Sequence, residues 1–532
     1  MKKIRKLIML VFTLSMLFAL VACSSSDSET ATTTDTTEEK TEETTASGDE
    51  EVTVVEEVES VSGGTITTMI QTEPDSLDPF IAVAADTTSL LYNVYDGLMT
   101  LNEDGTMASD LAESYQVSED GLTYSFIIKD TAFFSTGDPV TIEDVVYSYD
   151  KYMEASSMFS NVESVSSEGN TLIVKLIAAD ASFITLCNYG VVPNDPSLDL
   201  NVTPIGSGPY MITDYVSGSE LVFEKNPYYN TNPDRIPHVD KVIVKVNLSD
   251  PSVTLNQLLA GDLDLCQFMD PSTADMVEGK GYQVIAAPSN TVQILAMNPE
   301  FEPFSNVAVR QAISYAVDSQ AIVDNIMYGK GQALVSHMSP AMSAFYADDL
   351  ENTYSEVDLD KAKELLKEAG YEDGFTFTIK VPSSYQRHVD TGLIIKDMLS
   401  KINITVEVEQ IEWATWLEDV YANRQYEGTI IGIAGKPDPD TILKIYTTTY
   451  SRNFYNYSNP VYDELIDAGK LETDVAKRAE IYKESQQILV DDAVCVYTMD
   501  PANVKYAKAS VGGIKNYSVY FIDMASLFLK AE

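Results

Sequence analysis

The 532-residue chain carries 82 acidic and 34 basic side chains, a formal net charge of −48, with 45% hydrophobic and 10% aromatic residues. A surface this acidic repels phosphate backbones and anionic headgroups, which excludes nucleic acid as a partner, and the apolar share is ample for a large core or two to three domains. Four cysteines, with no CxxC and no Cys/His cluster, indicate neither a disulfide framework nor a zinc site, and Cys187, Cys266 and Cys495 read as buried apolar thiols.

Met1-Lys2-Lys3-Ile4-Arg5-Lys6 forms a basic head and Leu7 to Ala22 an apolar run, the layout of a secretory leader. The run is about 16 residues, short of the roughly 20 a helix needs to cross a bilayer core. It ends in Leu20-Val21-Ala22-Cys23, which resembles the bacterial lipobox. Residues 1–22 are therefore expected to be a leader that is removed, and Cys23 to carry diacylglycerol on the extracytoplasmic face of the membrane. Residues 23–61 are rich in Ser, Thr, Glu and Asp, with one lysine and no aromatic side chain, and cannot bury enough apolar area to offset their ordering entropy. They are predicted to be a disordered tether.

The body begins with an extended segment after Gly63-Gly64, broken by the prolines of Glu73-Pro74-Asp75-Ser76-Leu77-Asp78-Pro79. Ser89 to Leu98 reads as a short amphipathic helix, and Leu122, Tyr124, Phe126 and Ile128 alternate as in a half-buried strand. Thr141, followed by Glu143 and Asp144, has the chemistry of a helix start. Val309, Ala312, Ile313, Ala316 and Val317 fall on one helix face, as do Leu359, Ala362, Leu365, Leu366 and Ala369 before Gly370.

Catalytic constellations are missing. His238, His337 and His388 stand in unrelated contexts, and there is no HExxH, GxSxG or GxxxxGK[ST]. Gly206-Ser207-Gly208-Pro209 lacks the nucleophile-elbow spacing, and Pro209 cannot continue a helix. No enzyme activity and no cofactor are expected. Abundant carboxylates leave a glycosidase open on geometry alone.

Ala112-Glu113-Ser114-Tyr115, Gly121-Leu122-Thr123-Tyr124-Ser125-Phe126 and Phe134-Ser135-Thr136-Gly137-Asp138-Pro139-Val140-Thr141 together resemble the signature of bacterial solute-binding proteins of family 5, the oligopeptide, dipeptide and nickel group. Further blocks follow in the same order: Pro204 to Tyr210 with Asn226-Pro227-Tyr228-Tyr229, Leu258 to Asp264, Val309 to Asp318, Asp360 to Tyr371, and Asn459-Pro460 with Asp463-Glu464-Leu465. The resemblance implies an α/β, two-lobed periplasmic-binding-protein-like fold of the large three-domain type, with a hinge and an interlobe cleft. By analogy residues 62–94, 203–296 and 506–532 form lobe one, 95–202 an inserted domain of that lobe, and 297–505 lobe two. It also implies a monomer that delivers a small solute, of peptide size, to an ABC permease and its ATPase subunits. An oligosaccharide, opine or metallophore ligand on the same scaffold, or a chaperone or adhesin role, stays open.

The resemblance carries to single residues. Glu412-Trp413-Ala414-Thr415-Trp416-Leu417 matches the family's E-W-x-x-aromatic-L pattern, which gives Trp413 a ligand contact and leaves Trp416 to the core. Gly432-Ile433-Ala434-Gly435-Lys436-Pro437-Asp438-Pro439 matches a loop whose aspartate grips the peptide α-ammonium, and that position is Gly435; a tryptophan of those relatives falls at Gly432. Either Asp438, or Asp86 in the loop after Asp78-Pro79, substitutes, or, on an equal footing, the ligand is not a free-amine peptide; with nothing at 435 to pair an amine, free-amine peptides are expected to bind worse than in those relatives. Arg387, in a loop near where relatives clamp a carboxylate, suits an anionic group. Nickel is disfavoured because no His falls in the matching loop.

Overall fold

The computed structural model describes residues 60–246, 251–267, 269–350 and 353–531. The leader, Cys23 and the acidic segment through residue 59 lie outside the described residues. Among those described, no helix is long and apolar enough to cross a membrane.

Three bodies of secondary structure follow from three patterns of side-chain alternation. In the first, Thr65–Ile70 pairs in parallel with Lys241–Val246, which continues through Glu220–Lys225 to Tyr210–Val216 in antiparallel. Ile66, Leu221, Phe223, Val242 and Val244 face one core, each contributing about 1.5–3 kcal/mol by full burial. A three-stranded sheet of Leu265–Cys266, Asn503–Lys508 and Tyr282–Ala287 packs beside it. Ser60 and Val61, which composition assigns to the tether, instead pair with Lys530 and Leu529. The partner strand explains this correction, because pairing with the chain's other end is invisible to local composition.

The helix expected over 89–98 spans Ala85–Leu91. It stops early because the Asn93 amide donates to the carbonyls of Ser89 and Leu90, satisfying the orphan acceptors of the last turn, and also to Ile522 O at 2.8 Å.

In the second body Ala112–Val117, Thr123–Ile128, Thr171–Leu176 and Val162–Glu168 form an antiparallel sheet in the order given. The helix Ile142–Ala155 lies on it, opened by a reciprocal capping box between Thr141 and Asp144. Tyr124, Phe126, Tyr149 and Leu172 build its core. Gly206 and Gly208 abut the Val94 backbone so closely that any Cβ would overlap it, which is why this loop needs glycine.

The third body is a six-stranded sheet ordered Gly331–Ala333, Cys495–Pro501, Thr291–Met297, Gly428–Ala434, Thr376–Pro382, Thr405–Ile411. Leu295 and Met297 point into one core, Ile294 and Ala296 into the other, so both faces are covered. The helices Val307–Ala316 and Leu359–Glu368 bury the predicted faces and begin at the side-chain caps Asn306 and Asp358. Cys187, Cys266 and Cys495 are buried free thiols.

Two crossovers, 288–290 and residue 502, join the third body to the first. Asp500 holds the longer one: its carboxylate accepts from Ser289 N at 2.9 Å, Ser289 Oγ at 2.7 Å and Asn290 N at 3.0 Å, and from Ser339 Oγ.

Candidate ligand cleft

The strands Thr376–Pro382, Thr405–Ile411 and Gly428–Ala434 are parallel neighbours, so their carboxyl ends share one edge of the sheet. Thr291 pairs with Ala434, and Gly331 with Pro501, so both crossovers leave from that edge. In open α/β sheets this is where ligands bind. The side chains placed there come from the first residues after each strand.

Tyr385 follows the first strand and Trp413 the second. Trp413 is 37% exposed, stacks on Trp416 at 5.2 Å with planes 4° apart, and meets the Tyr385 ring edge-on at 5.4 Å. Trp416 is buried and donates Nε1–H to Thr429 Oγ1 at 2.9 Å. One tryptophan is thus fixed in the core and holds the other against the opening, with Tyr385 extending the shelf.

Behind Tyr385, His388 has both ring nitrogens engaged. Gly432 N–H donates to Nε2 at 3.2 Å, and the Gln293 amide lies 2.8 Å from Nδ1. Burial, reinforced by the Arg387 charge, lowers His388 to about 4, so the ring is neutral at pH 7. Nε2 accepts, so Nδ1 bears the proton and must face the Gln293 carbonyl. The Gln293 NH₂ then faces the hydroxyls of Thr391 and Thr498, at 3.1 and 2.9 Å, which themselves donate to the carbonyls of Arg387 and Gln293. The His388 ring rests against Gly432, which lies in the strand Gly428–Ala434 and not in the loop expected from the sequence.

Arg387 lies in the first turn of the helix Gln386–Ser400, not in a loop. Its guanidinium makes no hydrogen bond or ion pair among the described residues. It is open to solvent, yet desolvation by its surroundings lowers its pKa while Asp270, beyond the crossovers in the first lobe, acts in the opposite sense.

The expected acids are committed elsewhere. Asp438 is buried and receives Arg478 Nη1 at 2.6 Å and Nη2 at 2.9 Å, a bidentate pair, while also capping Pro439–Leu443. Gly435 donates to Asn290 O at 2.5 Å, and a Cβ there would collide with the Asn290 side chain. Its φ is not positive, so the glycine serves close approach and not unusual backbone geometry. Asp86 sits in the first turn of Ala85–Leu91, not in the preceding loop. Its Oδ2 accepts from Gln71 N, Thr72 N and Thr72 Oγ1 at 3.0, 2.7 and 2.7 Å, and Oδ1 from Tyr520 OH at 2.5 Å. With Gln71 and Gln267 it borders a cavity of about 300 Å³ at the carboxyl end of Thr65–Ile70. Trp413 and Arg387 therefore stand at one edge of the third body, Asp86 belongs to the first body, and Asp438 faces a buried arginine.

The profile of bacterial extracellular solute-binding proteins, family 5 middle region, matches residues 106–454. The chain belongs to this family. Family 5 proteins are the binding components of ABC importers, not enzymes. "Protein XP55" of Streptomyces lividans is 29% identical over 456 residues, covering 80% of this chain and 81% of that protein. The oligopeptide-binding protein OppA of Bacillus subtilis is 25% identical over 474 residues, covering 80% and 86%. Among solved structures, the murein tripeptide binding protein MppA in its unliganded open form superposes with a TM-score of 0.81 at 20% identity, covering 89% of this chain and 99% of that one. The family 5 fold is thus the two-lobed architecture that the ordered sequence blocks imply.

Sequence reasoning missed Tyr385, His388 and Gln267. Tyr385 and His388 carried a signal, since both fall just past Pro382 at the end of an alternating strand. Gln267 had none, because its place depends on pairing with a strand more than 200 residues away.

Proposed function

We propose that this family 5 protein is a lipoprotein anchored through Cys23, and that it captures a peptide or peptide-sized solute by closing two lobes and hands it to its permease. In this reading 62–94, 203–296 and 506–532 form lobe one, 95–202 its inserted domain and 297–505 lobe two. The observation that carries it is the exposed Trp413–Tyr385 shelf beside the unpaired Arg387, at the strand edge from which both crossovers leave. An aromatic shelf gives apolar contact with few rotors to freeze, and a free guanidinium takes a carboxylate. The relatives' names, oligopeptide-binding and murein tripeptide binding, support peptide as the ligand class. Closure stabilises the liganded state by the ligand's differential affinity for it.

Native mass spectrometry of the purified protein should show an adduct of peptide mass. Trp413→Ala should weaken binding of a defined tripeptide by about 10- to 100-fold in calorimetry, the loss of one well-packed aromatic contact. An adduct of sugar mass, with no heat from any peptide, would overturn the ligand class. Equal membrane retention of wild type and Cys23→Ala would overturn the anchor.

A further inference from the structure

At this edge the third body sets an aromatic shelf and a cation, while Asp438, the acid expected there, is taken by Arg478. A peptide's nitrogen end must then be met from the other side or left unpaired. The first lobe holds an unexplained group where one is wanted. Gln267 is 6% exposed, and its Oε1 is buried with no hydrogen-bond partner among the described residues. It continues past the strand Leu265–Cys266 at the edge that faces the crossovers, and borders the same cavity of about 300 Å³ as Asp86 and Gln71. A buried carbonyl without a donor is destabilising, so its retention on a cavity wall indicates a donor supplied from outside the fold.

The field in this cavity has a sign. Asp86 is 7% exposed, and four donors hold its carboxylate rigid with no cation within ion-pair distance among the described residues. Lys505 lies across from Gln267 in the continued register of Leu265–Ala507 and Cys266–Tyr506, but its amine turns away to Lys515 O at 2.7 Å and its acidic neighbour is Glu103. The cavity thus presents one idle acceptor in a negative field, which favours an N–H donor and disfavours a carboxylate.

We propose that the Gln267–Asp86 cavity of the first lobe receives a nitrogen donor of the ligand, ammonium or amide, while Arg387 of the second lobe receives its anionic end. This rests on the peptide reading above. Gln267 makes the contact, and Asp86 acts through space as a fixed charge. A ligand with opposite groups at its two ends is then shared between the lobes, and only the closed protein satisfies both.

Calorimetry with three probes tests this: tri-alanine, which carries an ammonium; N-acetyl-tri-alanine, which carries an amide N–H there; and propionyl-dialanine, which has neither. Wild type should bind at least one of the first two about fivefold or more tighter than the third, the worth of one hydrogen bond in a charged setting. Gln267→Leu should erase that ratio. Gln267→Glu should raise the tri-alanine to N-acetyl ratio if the donor is ammonium and leave it unchanged if it is an amide. The melting temperature of ligand-free Gln267→Leu should equal or exceed that of wild type, because an unpaired buried acceptor has been removed. A wild-type ratio near one, or a ratio that survives Gln267→Leu, overturns the proposal while leaving peptide binding intact. A fall of several degrees in ligand-free melting overturns it by showing that Gln267 is already satisfied within the fold. If none of the three probes binds wild type, the peptide reading fails and this assignment fails with it.

Discussion

Two joints hold this protein together, and they are built differently. Where the second body meets the first, Arg235 is buried between two carboxylates, with Nη1 3.1 Å from Asp96 and 3.1 Å from Asp110, and it adds a bond from Nη2 to Tyr92 O. Where the third body meets the first, one carboxylate, Asp500, gathers backbone N–H groups and serine hydroxyls, with no cation in contact. A buried charge triad tolerates little displacement, because any separation exposes unpaired charge in a poorly screened interior. A single acceptor surrounded by small neutral donors gives up less when its geometry shifts. The first joint suits a fixed attachment and the second a hinge.

The largest expected effect breaks the fixed joint. Arg235→Met should lower stability by about 3–5 kcal/mol, because Asp96 and Asp110 are left facing each other. Burial first, and the charge of Asp110 second, already push the Asp96 pKa well above its ordinary value, and burial raises Asp110. A raised acid keeps its proton in the folded state at pH values where the unfolded chain has lost it. The deficit of the variant should therefore shrink as pH falls through the folded pKa values toward 4, readable as convergence of the two melting curves. A deficit independent of pH would show that the triad acts through packing and not through charge.

At the hinge, Asp500→Asn should cost less, about 1–3 kcal/mol, since an amide replaces one accepting oxygen by a donor that faces donors. The same joint contains a lysine without an ion pair. Lys505, three residues past the shorter crossover, is lowered to about 8 by burial, with Glu103 opposing. Between pH 8 and about 10 the unfolded chain binds this proton and the folded one does not, so Lys505 by itself should add about 2 kcal/mol of stability over that window. In Lys505→Met this contribution should vanish. Burial raises the thiols of Cys187, Cys266 and Cys495, whose ionisation in the unfolded chain lowers stability over the same range in both proteins, so the Lys505 contribution is read as the wild-type minus Lys505→Met difference.

What the sequence could show is divided along the same line. Strands such as Thr123–Ile128 and capped helices such as Ile142–Ala155 are legible because alternation and capping are local signals. The cleft's aromatic wall is half legible, since Trp413 stands in a family pattern while Tyr385 is marked only by following a strand. Both joints are illegible. Asp438 looks like a free acid until Arg478, 40 residues on, is seen to hold it. Gly435 looks like a lost functional acid, but Asn290, more than 100 residues earlier, occupies the space where its side chain would stand. Placing Asp at 435 would therefore displace a hinge residue before it could meet a ligand.

Asn290 gives the smallest and sharpest test of the hinge. Its backbone N–H belongs to Asp500 and its carbonyl accepts from Gly435, both in the third body, whereas its side-chain amide donates both to Ser518 O in the C-terminal segment of the first at 2.7 Å and to Lys436 O of the third at 3.3 Å. Its φ of 57° is left-handed, where a non-glycine residue is strained. Asn290→Ala loses the side-chain bonds and keeps the strain; Asn290→Gly loses the same bonds and relieves it. The glycine variant should therefore be the more stable of the two by about 1 kcal/mol, the backbone strain relieved less the greater unfolded-chain entropy of glycine. Because the backbone of residue 290 is held by the third body on both sides, it should travel with that body, and the gap should be the same with and without saturating ligand. A gap that closes on ligand binding would show that residue 290 leaves the left-handed region during closure, which would make it the pivot within the crossover 288–290.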